Sequence, residues 1–181
     1  MNIIDIGCGM HKYPGSTGID KIGLDGVDIV CDVEESGLPF RDDSIDVVYS
    51  RHFLEHVDNF EYVIKDIHRV LKPDGTANII VPHFSNPLGY SDPTHKRFFG
   101  YYTFDYFCPE QYQGRRKVPT YYADFRFRII DKKLEFIQYK LFKSLLYKLF
   151  NLKEIITQFY ETYLAFTVPC HQIRYTLKPI K

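Results

Sequence analysis

The chain reads as an α/β domain with a mostly parallel central sheet and an antiparallel last strand. Three observations predict this. Short β-branched apolar runs recur through residues 2–82, each stopped by a turn. One amphipathic helix with start and stop signals stands between two of those runs. Downstream, a strictly alternating stretch at 125–129 and a closing stretch at 171–177 supply further strands.

The first run covers 2–6 and ends at a glycine turn. Gly18, Ile19 and Asp20 form a second short strand, and 27–31 a third. Residues 45–50 and 77–81 complete the N-terminal set, and their near-continuous apolarity suits strands buried on both faces. Between these two runs, Asp58 is placed to cap a helix, with Glu61 three residues on. Phe60, Val63, Ile64, Ile67, Val70 and Leu71 then recur at helical spacing. Lys72, Pro73, Asp74 and Gly75 end the helix and turn the chain back, giving a strand–helix–strand crossover.

Residues 84–128 hold 14 of the chain's 30 Phe and Tyr residues, mixed with turn formers. After the alternating strand at 125–129, Asp131, Lys132 and Lys133 predict a turn, and 134–139 a returning hairpin arm. Residues 140–151 take a helical period with Lys140, Lys143, Ser144, Lys148 and Asn151 on the polar side. A second helix over 153–159 follows. The whole of 1–181 is thus one domain, with an aromatic-rich insert at about 84–128.

Composition narrows the functional classes. The chain has 23 Lys and Arg against 23 Asp and Glu, so it is neutral overall. Residues 1–75 carry 7 basic and 15 acidic residues, a balance of −8, which speaks against nucleic-acid binding. The 9 basic and 3 acidic residues of 132–181 leave that segment at +6. Its stretch 139–153 has no acidic residue and is amphipathic. It therefore packs on the sheet or makes a weak peripheral contact with an anionic membrane. Cys8, Cys31, Cys108 and Cys170 are too dispersed for a disulfide scaffold or a cysteine zinc site. No apolar run approaches the ~20 residues a membrane span needs, and the expected location is cytoplasmic.

The chemical signal lies at the strand ends. Gly7 and Gly9 permit a tight turn and close backbone approach to a ligand. The dinucleotide fingerprint is incomplete, because position 12 is Lys, and Pro14, Gly15 and Gly18 leave no room for a helix behind the turn. Asp20 ends the second strand, where a carboxylate can accept both hydroxyls of a ribose. Asp32 follows the third and can accept from an exocyclic amine. Glycine turn, Asp and Asp on consecutive strand ends outline a nucleoside-shaped crevice.

Together, I-I-D-I-G-C-G (3–9), T-G-I-D (17–20), C-D-V (31–33), L-P-F-R-D-D-S-I-D-V-V-Y-S (38–50), L-E-H-V (54–57) and R-V-L-K-P-D-G-T (69–76) resemble the class I S-adenosylmethionine-dependent methyltransferases. The resemblance implies a Rossmann-like methyltransferase fold and S-adenosylmethionine as cofactor. It places Gly7, Cys8 and Gly9 under the methionyl part, with Asp5 orienting the glycine loop and the ligand ammonium. It also puts Asp20 at the ribose, Asp32 and Val33 around the adenine, and Ser50, Arg51 and His52 at the methyl end. The missing helix after the glycine turn is shared with a compact branch of the family.

Methyl transfer needs mainly in-line positioning, because the sulfonium is already activated. A base helps a hydroxyl or amine acceptor. His83 and His95 are the candidate bases, with Asp92 a candidate orienting partner; the competing view is that both rings fasten a loop. His52, His56, His83 and His95 match no compact metal-ligand spacing, so no metal is expected. The expected activity is methyl transfer to a small-molecule or glycan-type acceptor. The alternative is a non-catalytic S-adenosylmethionine- or nucleoside-binding protein, peripheral to a membrane or not.

Overall fold

The computed structural model describes residues 1–137 and 139–181. Its centre is a seven-stranded sheet. In chain order the strands are β1 (Ile3–Ile6), β2 (Thr17–Asp20), β3 (Ile29–Val30), β4 (Ile45–Arg51), β5 (Leu71–Pro82), β6 (Arg126–Glu135) and β7 (Gln172–Ile180). They lie in the order β3-β2-β1-β4-β5-β7-β6. The pairs from β3 through to β5 are parallel, and β7 runs antiparallel to both β5 and β6. Strand order reverses at β1, between β2 and β4. A ligand crevice opens at such a point.

The main helix, α2 (Phe60–Val70), buries Val63, Ile64, Ile67 and Val70 against the sheet. Three shorter helices are α1 (Val33–Ser36), α3 (Lys143–Phe150) and α4 (Glu154–Phe159). Residues 8–16 form no helix, as the Pro and Gly content requires.

Several elements depart from expectation, each for a local reason. The α2 cap is Asn59, whose side chain accepts from the Tyr62 amide. Asp58 is drawn elsewhere, with its amide on Glu34 Oε1 at 2.6 Å and its carboxylate on Lys96. The predicted turn at 131–133 lies inside the continuous strand β6. There Lys132 pairs with the buried Asp105 at 2.7 Å, and β7 supplies the antiparallel partner expected from 134–139. Gln138, within that expected arm, lies outside the described residues. The helix expected over 140–151 is confined to Lys143–Phe150.

The largest departure concerns the two faces of the sheet. Ile4, Ile6, Val48, Ala77, Ile79, Val81, Ile173, Tyr175 and Leu177 are essentially inaccessible and meet α2 on one face. On the other face Tyr49, Asn78, Ile80, Arg174, Thr176 and Lys178 are only half-buried. The strands are therefore not buried on both sides. The short 8–16 connection provides no helix for the second face, so polar side chains occupy it. Asn78 accepts from Thr176 Oγ1 at 3.1 Å, and Lys178 pairs with Asp74 at 2.7 Å.

The aromatic insert joins the main core. Phe99, Phe104, Phe107 and Tyr175 pack with Phe60, Phe125 and Phe127, with edge-to-face and stacked contacts at 4.7–6.5 Å. Such rings contribute ~0.5–1.5 kcal/mol per pair beyond area burial.

Candidate active site

At the carboxyl end of β1 the chain reverses through Gly7 (φ 67°) and Gly9 (φ 52°), both left-handed. The turn is pinned to β2, where Ile19 O accepts from the Gly7 and Cys8 amides at 2.8 and 3.2 Å. Gly7 is obligatory for a second reason. A Cβ there would lie 2.5 Å from Phe53, whereas at Gly9 it would meet nothing within 4 Å.

Asp20 follows directly. Its Oδ2 accepts from the Gly9 amide at 3.0 Å and its Oδ1 from the Ile22 amide at 3.1 Å. Each carboxylate oxygen has a second lone pair, so capacity for two hydroxyl donors remains. Asp32 caps α1 through Oδ1, which accepts from the Glu34 amide at 3.0 Å. Glu34 in turn holds the amides of Asp58 and Asn59 at 2.6 and 2.8 Å, fixing α1 against the start of α2.

Two cavities flank the glycine turn. The larger, about 560 Å³, is lined by Ile6, Gly7, Asp20, Asp32, Val33 and His52, with Phe53, Thr94 and Lys96 among its other walls. The second, about 370 Å³, is lined by Asp5, Tyr13, Tyr49, Ser50, Arg51 and Arg174, and continues onto the open sheet face. Of the expected residues, Gly7, Asp20, Asp32, Val33 and His52 line one cavity and Asp5, Ser50 and Arg51 the other, whereas Cys8 and Gly9 line neither.

Asp5 is buried, and burial pushes its carboxyl above the usual range against the pull of the Tyr13 amide and the Arg51 charge. It orients the loop by accepting from Tyr13 N at 2.7 Å. Tyr13 stacks on Tyr49 at 3.7 Å, and the hydrogen bond Tyr49 donates to Tyr13 together with burial raises the Tyr49 phenol to about 12. Burial, with Asp5 and Asp20 nearby, also raises the Cys8 thiol, so Cys8 stays protonated and is not a nucleophile.

The fit to a nucleoside with an amino-acid tail rests on two features. Asp20, on the wall of the larger cavity, keeps acceptor capacity after holding the Gly9 and Ile22 amides. The space a Cβ would fill at Gly9 is open. Both suit a bound polar ligand that approaches the backbone closely.

The histidines separate. His52 adopts a left-handed φ of 52°, directing its ring into the larger cavity. Its Nδ1 faces Glu55 Oε1 at 3.2 Å and its Nε2 faces Gln172 Oε1 at 3.1 Å. His83 is enclosed: Nδ1 contacts Ser85 Oγ at 2.7 Å, Nε2 contacts Glu161 Oε1 at 3.3 Å, and the ring lines neither cavity. His95 lies beside His56 and 3.7 Å from Asp92, behind the wall formed by Pro93, Thr94 and Lys96. No aromatic residue of the insert lines either cavity.

Phe53, Glu55 and Gln172 are participants that sequence reasoning missed. Glu55 follows His52 at i+3, a spacing that was available as a signal. Gln172 comes from 120 residues away and carried none.

A crossed-over parallel sheet with a nucleoside-sized cavity at its switch point defines the class I, Rossmann-like methyltransferase fold. Comparison with known proteins gives the same answer. The methyltransferase-domain family matches residues 4–79. The sterol 4-C-methyltransferase strm-1 of Caenorhabditis elegans is 30% identical over 97 residues, covering 41% of this chain and 29% of that protein. The YcgJ protein of Bacillus subtilis superposes with a TM-score of 0.56 at 18% identity, over 99% of this chain and 92% of that one. An S-adenosylmethionine-dependent methyltransferase from Archaeoglobus fulgidus gives a TM-score of 0.56 at 18% identity, over 98% and 85% of the two chains. The match across residues 4–79 and the shared fold make this chain similar to the S-adenosylmethionine-dependent methyltransferases, whose methyl donor is S-adenosylmethionine. The chain spans less than a third of the curated relative's length.

Proposed function

We propose that this chain transfers the methyl group of S-adenosylmethionine to a hydroxylated small molecule or glycan seated in the Tyr13–Tyr49 cavity. The observation that carries this is the pair of cavities on either side of the glycine turn. In this reading the larger holds the adenosine, with Asp20 accepting from the ribose hydroxyls and Asp32 and Val33 beside the base. Asp5 and Arg51, in the second cavity beside the glycine turn, hold the amino-acid end in this reading. When bound, the sulfonium supplies an activated methyl group.

The chain's own contribution is placement. The stacked Tyr13–Tyr49 pair offers a flat apolar platform for a sugar or similar ring. Asn78, Arg51 and Arg174 offer donors to its hydroxyls. A sterol, the acceptor in the nematode relative's name, brings a single hydroxyl and would leave most of these polar groups unpaired. Since both nitrogens of His83 are occupied by Ser85 and Glu161, its role in this reading is to fasten the loop after β5. Rate enhancement comes from orientation and water exclusion.

A membrane site of action has its own support. Leu141, Phe142, Leu145, Leu149 and Leu152 are 45–90% exposed, and Lys140, Lys143, Lys148 and Lys153 surround them. Exposed apolar side chains rimmed by lysine suit the surface of an anionic bilayer.

The test is transfer of labelled methyl groups to a panel of hydroxylated acceptors. Tyr49→Ala and Arg174→Ala should lower kcat/KM while leaving affinity for S-adenosylhomocysteine unchanged. Equal turnover by both variants would move the acceptor elsewhere. No transfer to any acceptor, with cofactor still bound, would favour a binding protein.

A further inference from the structure

We propose that Glu55, His56 and His95 bind a divalent transition-metal ion of the zinc type. Each offers one ligand atom, and these atoms lie within 4.8 Å of one another. Glu55 is fully buried in the connection between β4 and α2. Its Oε1 faces His52, while Oε2 has no hydrogen-bond partner among the described residues. A buried carboxylate oxygen with nothing to accept from is rare in a native fold, and an ion is one of the few groups that resolve it.

The two imidazoles are held for the purpose. Their rings meet edge to face, with centroids 4.8 Å apart. Thr94 Oγ1 lies 2.9 Å from His56 Nδ1, and Asp92 Oδ2 lies 3.7 Å from His95 Nε2. Hydroxyl and carboxylate partners behind imidazole ligands fix ring orientation in metal sites. Two imidazoles and one carboxylate without a thiolate suit zinc and its first-row neighbours, with a fourth position left for water. The wide separation of His95 from the other two hides the site from any search for compact ligand spacing.

The placement gives the ion a role. Residues 92–97 already lie along 55–57, with the Lys96 amide on Glu55 O at 2.8 Å and Arg97 Nε on Val57 O at 3.2 Å. Pro93, Thr94 and Lys96 from that loop line the larger cavity together with His56. An ion on Glu55, His56 and His95 therefore clamps the loop as a fixed wall of the cavity. Binding of the ion does not depend on methyl transfer.

The experiment titrates the chelator-stripped chain with ZnCl2 by calorimetry, and with Co2+ by visible absorption. One equivalent should bind, with cobalt d–d bands of a nitrogen- and oxygen-ligated ion and a rise in Tm on addition of zinc. His95→Gln should lower affinity by more than the ~10–100-fold that loss of an outer partner costs, and abolish the Tm rise. Should that variant fail to fold, Asp92→Asn reads the same site and should weaken binding by about 10–100-fold. Absence of stoichiometric binding, or equal binding by the wild type and the folded variant, overturns the proposal.

Discussion

Replacing Gly7 and Gly9 separately by Ala separates the two functions of the glycine turn. Both residues are left-handed, at φ 67° and 52°, so each Ala carries a backbone cost of ~1–2 kcal/mol. At Gly7 the new Cβ also falls 2.5 Å from Phe53, which must shift at a further ~1–3 kcal/mol of overpacking. At Gly9 it meets nothing within 4 Å, so no such addition applies. Gly7→Ala should therefore be the less stable by ~1–3 kcal/mol. For a chain of this length that corresponds to a Tm gap of roughly 2–12 °C by thermal unfolding. Binding should rank the other way relative to stability. Gly9→Ala should fold well yet lose about tenfold in affinity for S-adenosylhomocysteine, ~1.4 kcal/mol, because its methyl group enters open space beside Asp20. Equal Tm values for the two variants would refute the role assigned to the Gly7–Phe53 contact. Undiminished binding by Gly9→Ala would refute the ligand's path over the turn.

Other consequences can be measured on the same protein. Lys132→Met should destabilise by ~3–5 kcal/mol in urea unfolding, because Asp105, already raised by burial, loses its 2.7 Å partner; adding Asp105→Asn should recover much of the loss. Burial lowers His68 and His171 below the ordinary histidine value, so the unfolded chain binds more protons as pH falls through ~6.5. Tm should drop between pH 7.5 and 5.5, change little from these groups above pH 7, and fall less steeply in His68→Gln. In vesicle sedimentation, Leu145→Glu should abolish binding to anionic bilayers, and removing Lys143 or Lys148 should weaken it by ~1 kcal/mol each; binding that ignores lipid charge would contradict the membrane reading.

The legible part of the fold was the part with local signals. The runs ending at Ile6, Asp20 and Ser50 and the stripe from Val63 to Val70 fixed the N-terminal strands and α2, because periodicity and turn chemistry act within a few residues. The turn expected at 131–133 failed because its Asp and Lys residues are recruited by tertiary partners, Lys132 by Asp105 above all. Asp58 lost the α2 cap in the same way, to Glu34 and Lys96. The open sheet face was hidden because β-branched runs look alike whether one face is covered or two. At the site, Asp20 and Asp32 could be read from strand ends. The contacts of Gln172 and His95 come from packing between segments distant in sequence.

The central claim is that Asp20 and its neighbours hold the nucleoside of the methyl donor. Calorimetric titration of the wild type and Asp20→Ala with S-adenosylhomocysteine tests it most directly. The wild type should bind one equivalent. The variant, stripped of two charge-assisted hydrogen bonds to the ribose, should lose roughly 2–4 kcal/mol, about 30- to 1,000-fold, while remaining folded with a Tm lowered by loss of the Gly9 and Ile22 amide contacts. Equal binding by both proteins, or none by the wild type, would contradict the account.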